Sequence, residues 1–371
     1  MKSKWKTVSL GEIAAVKGGK RLPKGKNLIT IPNKHPYIRV RDLNGEKTLE
    51  LNNNYEYVDD ETQKTISRYT VQEGDIVISI VGTIGLVGII GKSLNGANLT
   101  ENCVKLTSLQ GVDKDFLYYF LKSSVGQQEI KKGTVGAVQA KLPIKNIQAI
   151  QLELPDIEMQ LKIVSILKVL DSKIALNKKT NDNLEQQVQT IYNYMFVANG
   201  DPTWKRGCLK DLITVKYGKD HKKLSDGLYP VYGSGGIMRY VERPLYEKES
   251  VLIPRKGTLN NVIYVNQPFW SVDTMFYTEM KVPNVAKFVY QFVKSKDLAS
   301  MNAGSAVPSM TTDILNAMEI VVPPAEILEK FEAIVAPMYQ MMQKNNEQSA
   351  TLATLRDSLL PKLMAGEICN L

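Results

Sequence analysis

Histidine is almost absent from this chain. His35 and His221 are the only two in 371 residues, and no ligand spacing surrounds either. That scarcity excludes a histidine-based zinc site and a Ser-His-Asp type of triad. Cysteine is equally sparse. Cys103, Cys208 and Cys369 stand far apart and form no CxxC pair, so three isolated thiols fit a reducing, cytoplasmic setting. Long apolar runs are missing too. No uncharged stretch is longer than Ile76 to Gly91, which is too short to span a membrane, and its four glycines among β-branched residues predict buried strands and a turn. The N-terminus has no apolar core of the kind a signal peptide needs.

Acidic residues are also in deficit: 38 Asp and Glu against 47 Lys and Arg, a net charge of +9. A basic balance points to a polyanionic partner, most simply nucleic acid or an acidic membrane surface.

The chain contains an internal duplication. Trp5-Lys6, Leu10, Val16-Lys17 and Gly19-Lys20 realign without a gap onto Trp204-Lys205, Leu209, Val215-Lys216 and Gly218-Lys219. Asp75-Ile76-Val77-Ile78 with Gly82-Thr83 matches Ser250-Val251-Leu252-Ile253 with Gly257-Thr258. Gly136, Ala149, Pro155, Glu158, Lys162, Ile166, Asn177 and Leu184 fall on Gly304, Ala317, Pro323, Glu326, Lys330, Ile334, Asn345 and Leu352. The offset between copies falls from 199 to 168, so the second copy is shorter by 31 residues. Within each copy, short β-rich runs are broken by Gly, Pro and Asn, and Phe116 to Leu121 and Lys287 to Val293 predict short helices at matching places. Each module then ends in proline, at Pro155 or Pro323-Pro324.

After the prolines the apolar period changes. Leu167, Leu170, Ile174, Asn177, Asn181, Leu184, Val188, Ile191 and Met195 alternate three- and four-residue steps, the seam of a coiled coil. Val335, Met338, Met342, Asn345, Ser349, Leu352, Arg356, Leu359 and Leu363 form the second seam. Pro337 predicts a late start or a kink in that helix. Both seams carry polar residues in mid-length, a device that fixes register at a cost in stability. Because a module separates the two seams, an antiparallel pair is expected, about 40 residues and roughly 60 Å long. The expected fold is therefore α+β. It comprises two duplicated mixed, strand-rich globular domains joined by two long helices forming an antiparallel coiled coil. The boundaries are 1–155, 156–199 (central helix), 200–323 and 324–371 (C-terminal helix).

Several chemical signatures fail on inspection. Gly85 to Ser93 ends in Gly-Lys-Ser, but its first glycine stands one residue too early for a phosphate loop. Asn266-Gln267-Pro268-Phe269 is similar to the Asn-Pro-Pro-Phe tetrapeptide of amino-group DNA methyltransferases, yet its second position differs and no glycine-rich cofactor loop precedes it. No acid pair or nucleophile recurs between the copies. What recurs is basic. Lys17, Lys20, Arg21 and Lys24 parallel Lys216, Lys219 and Lys222, while Arg39, Arg41 and Arg68 in the first copy and Arg239, Arg255 and Lys256 in the second lie in loop-like or strand-edge surroundings. Lysine and arginine against phosphates supply affinity, and arginine fitted to guanine supplies discrimination. No catalytic and no metal-binding residue is predicted.

The duplicated architecture and its local wording resemble the specificity (S) subunit of type I restriction-modification systems. The resembling stretches are Trp5 to Ile13, Tyr229 to Ile237, Gly304 to Met310 followed by Ile320 to Pro324, and Leu359 to Ile368. The resemblance implies a non-catalytic subunit with two target-recognition domains, each reading one half of a split, asymmetric site in double-stranded DNA. It also implies docking of two methyltransferase (M) subunits and, through them, restriction (R) subunits. S-adenosylmethionine would then belong to the M subunits, and ATP and Mg to the R subunits, with no cofactor in this chain. The alternatives are a DNA methyltransferase in its own right and a coiled-coil scaffold that binds only proteins.

Overall fold

The computed structural model describes residues 5–136, 139–301 and 309–367. Of the positions singled out above, Gly304 with the run to Pro308, Ile368 and Cys369 lie outside them. Contacts divide the chain into two compact units, Met1–Leu176 with Gln348–Leu371, and Asn177–Glu347. Each unit therefore holds one module and part of each long helix.

In the first unit a five-stranded sheet runs in the order Ala15–Gly18, Cys103–Thr107, Ile76–Ser79, Val87–Ile90, Thr48–Leu49. Ile76–Ser79 and Val87–Ile90 are buried along their whole length. These are the strands expected from the uncharged, β-branched stretch, and burial on both faces explains why they read as continuous rather than alternating apolar runs. A small sheet places Pro36–Ile38 antiparallel to Glu56–Tyr57 and parallel to Asn98–Leu99. Lys6–Ser9 pairs antiparallel with Gln151–Leu154.

The second unit repeats this plan. A four-stranded sheet runs Ile213–Tyr217, Met275–Met280, Ser250–Pro254, Ile263–Val265. The small sheet again joins an antiparallel and a parallel pair: Asp226–Gly233 lies between Gly236–Val241 and Trp270–Ser271. Lys205–Cys208 closes on Glu319–Val322. Part of the shortening is visible here. The helix Asp60–Ile66 of the first unit has no counterpart among the described residues between Val241 and Ser250. A hairpin through Ser234-Gly235 replaces the longer path to Glu56–Tyr57.

The short helices Lys114–Lys122 and Ala286–Lys294 occupy matching places. They bury Phe116, Tyr118 and Phe120 in one unit and Phe288, Tyr290 and Phe292 in the other, so their aromatic spacing is common to both.

The central helix spans Ile157–Tyr192 and ends in a π-helical turn, Asn193–Ala198. Asp156 caps it, accepting the Met159 amide at 2.9 Å, and Glu158 lies in its first turn where a carboxylate suits the dipole. The C-terminal helix spans Ala325–Met364. It neither starts late nor breaks at Pro337. That residue is exposed, so the carbonyl left without its usual donor on that face is open to solvent.

In the first unit Leu167, with Ile163 and Val164, joins the same apolar cluster as Leu360, Leu363 and Met364, with Leu359 packed against it. Leu170, Ile174 and Leu352 are half-buried. Arg356 Nη1 donates to Asp171 Oδ1 at 2.9 Å. In the second unit Val188 and Val335 are fully buried in one cluster, with Ile191, Met338 and Met342 packed on it and Leu184 half-buried. Asn177 Nδ2 donates to the Asn345 carbonyl at 3.2 Å, Asn181 Nδ2 to the Met342 carbonyl at 3.2 Å, and Asn345 Nδ2 to Asn181 Oδ1 at 2.8 Å. As the number rises on one helix it falls on the other, so the segments are antiparallel within each unit.

Candidate nucleic-acid interface

Both copies start their site with the same local device. After the first strand, a one-turn helix is entered with an acidic side chain folded back on the preceding amide. Glu12 accepts from the Ser9 amide at 2.5 Å and Asp211 from the Cys208 amide at 2.8 Å. The chain then leaves along Ala15–Gly18 or Ile213–Tyr217, carrying Lys17 or Lys216 outward.

The Gly-Lys pair that follows has a backbone cause. Gly19 donates its amide to the Cys103 carbonyl and Lys20 to the Leu99 carbonyl; Gly218 and Lys219 do the same to Met275 and Ser271. A Cβ on Gly19 would stand 2.0 Å from the Thr100 oxygen, and one on Gly218 2.0 Å from the Val272 oxygen. Only glycine fits there. The Lys20 carbonyl is held by the Tyr37 hydroxyl at 2.7 Å, the Lys219 carbonyl by Trp270 Nε1 at 2.9 Å. The lysine side chains themselves are exposed, with Lys20 over the Tyr69 ring at 5.6 Å.

The remaining cations divide into free and engaged groups. In the first unit Lys17, Lys24 and Arg68 are exposed. Arg21 is exposed but pairs with Glu101 at 2.6 Å, which holds its pKa above the usual value. Arg39 is half-buried and Arg41 exposed, and both are engaged by carboxylates of the unit. Both guanidinium groups engage Glu56, and Arg41 also donates to the Asn54 carbonyl at 3.2 Å. Beside them Asp42, which accepts the Arg39 amide at 2.7 Å, is pushed up to about 6 by burial, with Arg41 pulling against it.

In the second unit Lys219, Lys222 and Lys256 are exposed, and Lys216 lies 3.8 Å from Glu279. Arg239 is tied to Asp226 at 3.0 Å and to the Leu224 carbonyl at 2.7 Å. Arg255 donates to the Asp273 carbonyl at 3.0 Å and stacks over Tyr217 at 5.5 Å. Asn261 Nδ2 donates to the Ser234 carbonyl at 2.7 Å. The structure thus gathers the Tyr217–Lys219 strand end, the Arg255–Asn261 loop and the Ser234 hairpin tip. Arg39, Arg41 and Arg239 are each engaged by a carboxylate of their own unit, with the Arg41 side chain still 54% exposed.

Tyr217, 53% exposed, escaped the reading of the sequence because it lies outside the repeated letters; an aromatic next to a repeated lysine was the available signal. Exposed Ile237, Met238 and Tyr240 on the neighbouring hairpin were missed for the same reason.

The look-alike motifs resolve into framework. Gly85 to Ser93 contains the whole strand Val87–Ile90, and Glu50 accepts from the Ser93 amide at 3.1 Å, where a phosphate loop would present that donor to an anion. Asn266 is exposed and donates to Gln343 at 3.1 Å, and Phe269 is fully buried. No helix among the described residues is long and apolar enough to cross a membrane.

Comparison with known proteins agrees with this duplicated plan. The curated relatives include the Type I restriction enzyme MjaIX specificity subunit of Methanocaldococcus jannaschii, 22% identical over 98% of this chain and 93% of that protein. Another is a putative type I specificity subunit of Mycoplasma genitalium, 23% identical over 97% and 93%. The crystal structure of a type I restriction-modification S subunit from M. genitalium covers 97% of this chain and 96% of its own, with a TM-score of 0.58 at 20% identity, a likeness of fold. Residues 2–186 and 202–350 each match the family described as type I restriction modification DNA specificity domain, and the chain belongs to that family.

Proposed function

We propose that this chain is the DNA-reading, non-catalytic subunit of a type I restriction-modification complex. In this reading each unit recognises one half of a bipartite, asymmetric duplex site, and the long helices set the separation of the halves and dock two adenine-methylating M subunits, with R subunits joining through them. S-adenosylmethionine works on the M subunits, and ATP with Mg on the R subunits. The observation that carries the reading is the duplication: two units on one strand plan, each within one of the two family matches. The relatives' names as specificity subunits support it. Lys17, Lys20, Arg21, Lys24 and Arg68 in the first unit, and Lys216, Lys219, Lys222, Arg255 and Lys256 in the second, are the proposed DNA contacts, with Arg255 the strongest base reader because Tyr217 and Asp273 pre-orient it. The engagements of Arg39, Arg41 and Arg239 favour framework roles.

The test is methylation mapping with the cognate M subunits present. A split adenine-methylated site is expected, and four residues inserted after Asn183, adding about 6 Å, should lengthen its spacer while keeping both half-sequences. An unchanged spacer removes the ruler; no methylation at any sequence in the presence of active M subunits removes the reading itself.

A further inference from the structure

We infer that Lys131, Lys132, Lys141 and Lys145, with Lys17, form a docking surface for the phosphate backbone of duplex DNA on the first unit, one that the second unit lacks. The inference rests on the DNA-reading role proposed above and names where its charge-driven affinity resides.

From Ile130 to Leu152 the chain has four lysines and no acidic residue. The fold brings them together. Lys131 and Lys132 close the helix Ser124–Gly133, whose C-terminal dipole favours cations. Gly133 lies against Leu142 and Asn146, and its carbonyl accepts from Asn146 Nδ2 at 2.7 Å. Lys141 and Lys145 flank that contact. A Cβ on Gly18, next to Lys17, would stand 3.5 Å from Ile144 Cδ1. All five lysines are exposed, and among the described residues only Lys132 has an acidic partner, Glu129 at 2.6 Å.

The second unit has a different surface at these places. Lys141 bridges Val81 where Ser309 bridges Lys256, so the cation has changed strand. Lys145 corresponds to Asp313, and the described stretch after Lys296 carries no further Lys or Arg as far as Met301. Exposed ammonium groups gathered in this part of the unit, all but Lys132 without an acidic partner among the described residues, fit closely spaced phosphates. Lysine meets these as point charges, without the bidentate geometry that reads bases. A protein partner would call for a broad apolar centre, and among the described residues from Ile130 to Leu152 the exposed large apolar side chains are two, Val135 at 43% and Ile144 at 37%.

The experiment uses the full chain with its M subunits and compares two sets of Lys→Gln changes of equal charge. One set neutralises Lys131, Lys132, Lys141 and Lys145. The other neutralises Lys34, Lys64, Lys92 and Lys114, which are exposed elsewhere in the same unit. Binding to duplex DNA is measured against salt concentration, and methylated sequences are mapped.

The first set should flatten the slope of log affinity against log salt by about three to four, the second by less than about one. The methylated sequence should stay the same in both. Equal slope changes, an unchanged slope, an altered methylated sequence, or loss of M-subunit association with the slope intact would each overturn the inference. Should the fourfold variant misfold, Lys141→Gln with Lys145→Gln must still lower the slope by about two. An unmutated complex that methylates no site would instead count against the proposed function.

Discussion

The first unit carries 27 Lys and Arg against 20 Asp and Glu, a net charge of +7; the second carries 20 against 18, a net +2. Their polarity differs at matched positions as well. The helices Lys114–Lys122 and Ala286–Lys294 share Phe116/Phe288, Tyr118/Tyr290, Phe120/Phe292 and Lys122/Lys294 at one spacing. Yet Asp115 of the first stands where the second has Lys287. Asp115 pairs with Lys47 at 2.9 Å; Lys287 pairs with Glu249 at 2.8 Å and Glu332 at 2.6 Å. Four positions further on, Tyr119 donates to Asp171 of the central helix at 2.6 Å, and Gln291 donates to Tyr339 of the C-terminal helix at 3.0 Å. Asp171 and Tyr339 are themselves equivalent by the 168-residue offset. After duplication the apolar frame stayed fixed, because its volume is shared by many neighbours. The polar anchors changed in matched pairs, because a buried charge persists only with its partner.

The largest effect expected from breaking this comparison is at Lys287, which is 6% exposed. Lys287→Glu places three carboxylates together and should cost about 3–5 kcal/mol in urea unfolding. Reversing the partners as well, with Glu249→Lys and Glu332→Lys, should recover much of that loss. Failure of the triple variant to recover, with Lys287→Met well tolerated, would mean that packing rather than polarity holds this helix.

Next in size are the glycines that the two units share. Gly19→Ala and Gly218→Ala each force a methyl group onto a backbone oxygen 2.0 Å away, and should each destabilise by more than about 2 kcal/mol. Gly235→Ala, with nothing within 4 Å, should be near neutral. Similar melting temperatures for all three would show that the chain relaxes around the close approach.

These glycines also mark what the sequence could tell. The Val-Lys-x-Gly-Lys repeat made the duplication legible, and its glycine is explained by strand packing. Its lysines are exposed at both copies, where packing does not require them. The helices and their seams were legible because their periodicity is written in one stretch of chain. The engagement of Arg39, Arg41 and Arg239 was not legible, because Glu56 and Asp226, 13 to 17 residues away, carry no local signal of approach. The lysines between Ile130 and Leu152 escaped for the opposite reason. Recurrence was the filter, and they occur in one copy only.

A third difference is a buried carboxylate. Asp42, 9% exposed, has its pKa raised to about 6 by burial, and no Asp or Glu among the described residues of the second unit is buried to that degree. Between about pH 4 and 6 the folded chain therefore holds a proton that the unfolded chain has lost. This group's contribution to stability falls as pH rises through that window and is flat above it. Asp42→Asn should remove the slope and raise stability near pH 7 by roughly 1–3 kcal/mol. If the variant's unfolding free energy followed the parent's pH profile, Asp42 would already be ionised in the folded protein at pH 4.

The smallest effect concerns the long helices, where the units again solve one problem differently. The first places an ion pair, Asp171 with Arg356, across its helical segments; the second places Asn181 against Asn345 at 2.8 Å. An amide pair in a seam adds little stability, because both groups give up water for one another, but it penalises every register in which they do not meet. Replacing both by leucine should therefore change the unfolding free energy by less than about 1 kcal/mol, with the sign toward greater stability. Its signature should be lost uniqueness. A disulfide engineered between the helical segments of this unit should form in one register in the parent and in several in the variant. A variant destabilised by more than about 2 kcal/mol with a single cross-linked register would reverse the assignment, making the asparagines contributors to stability and leaving register to Val188, Val335 and their apolar neighbours.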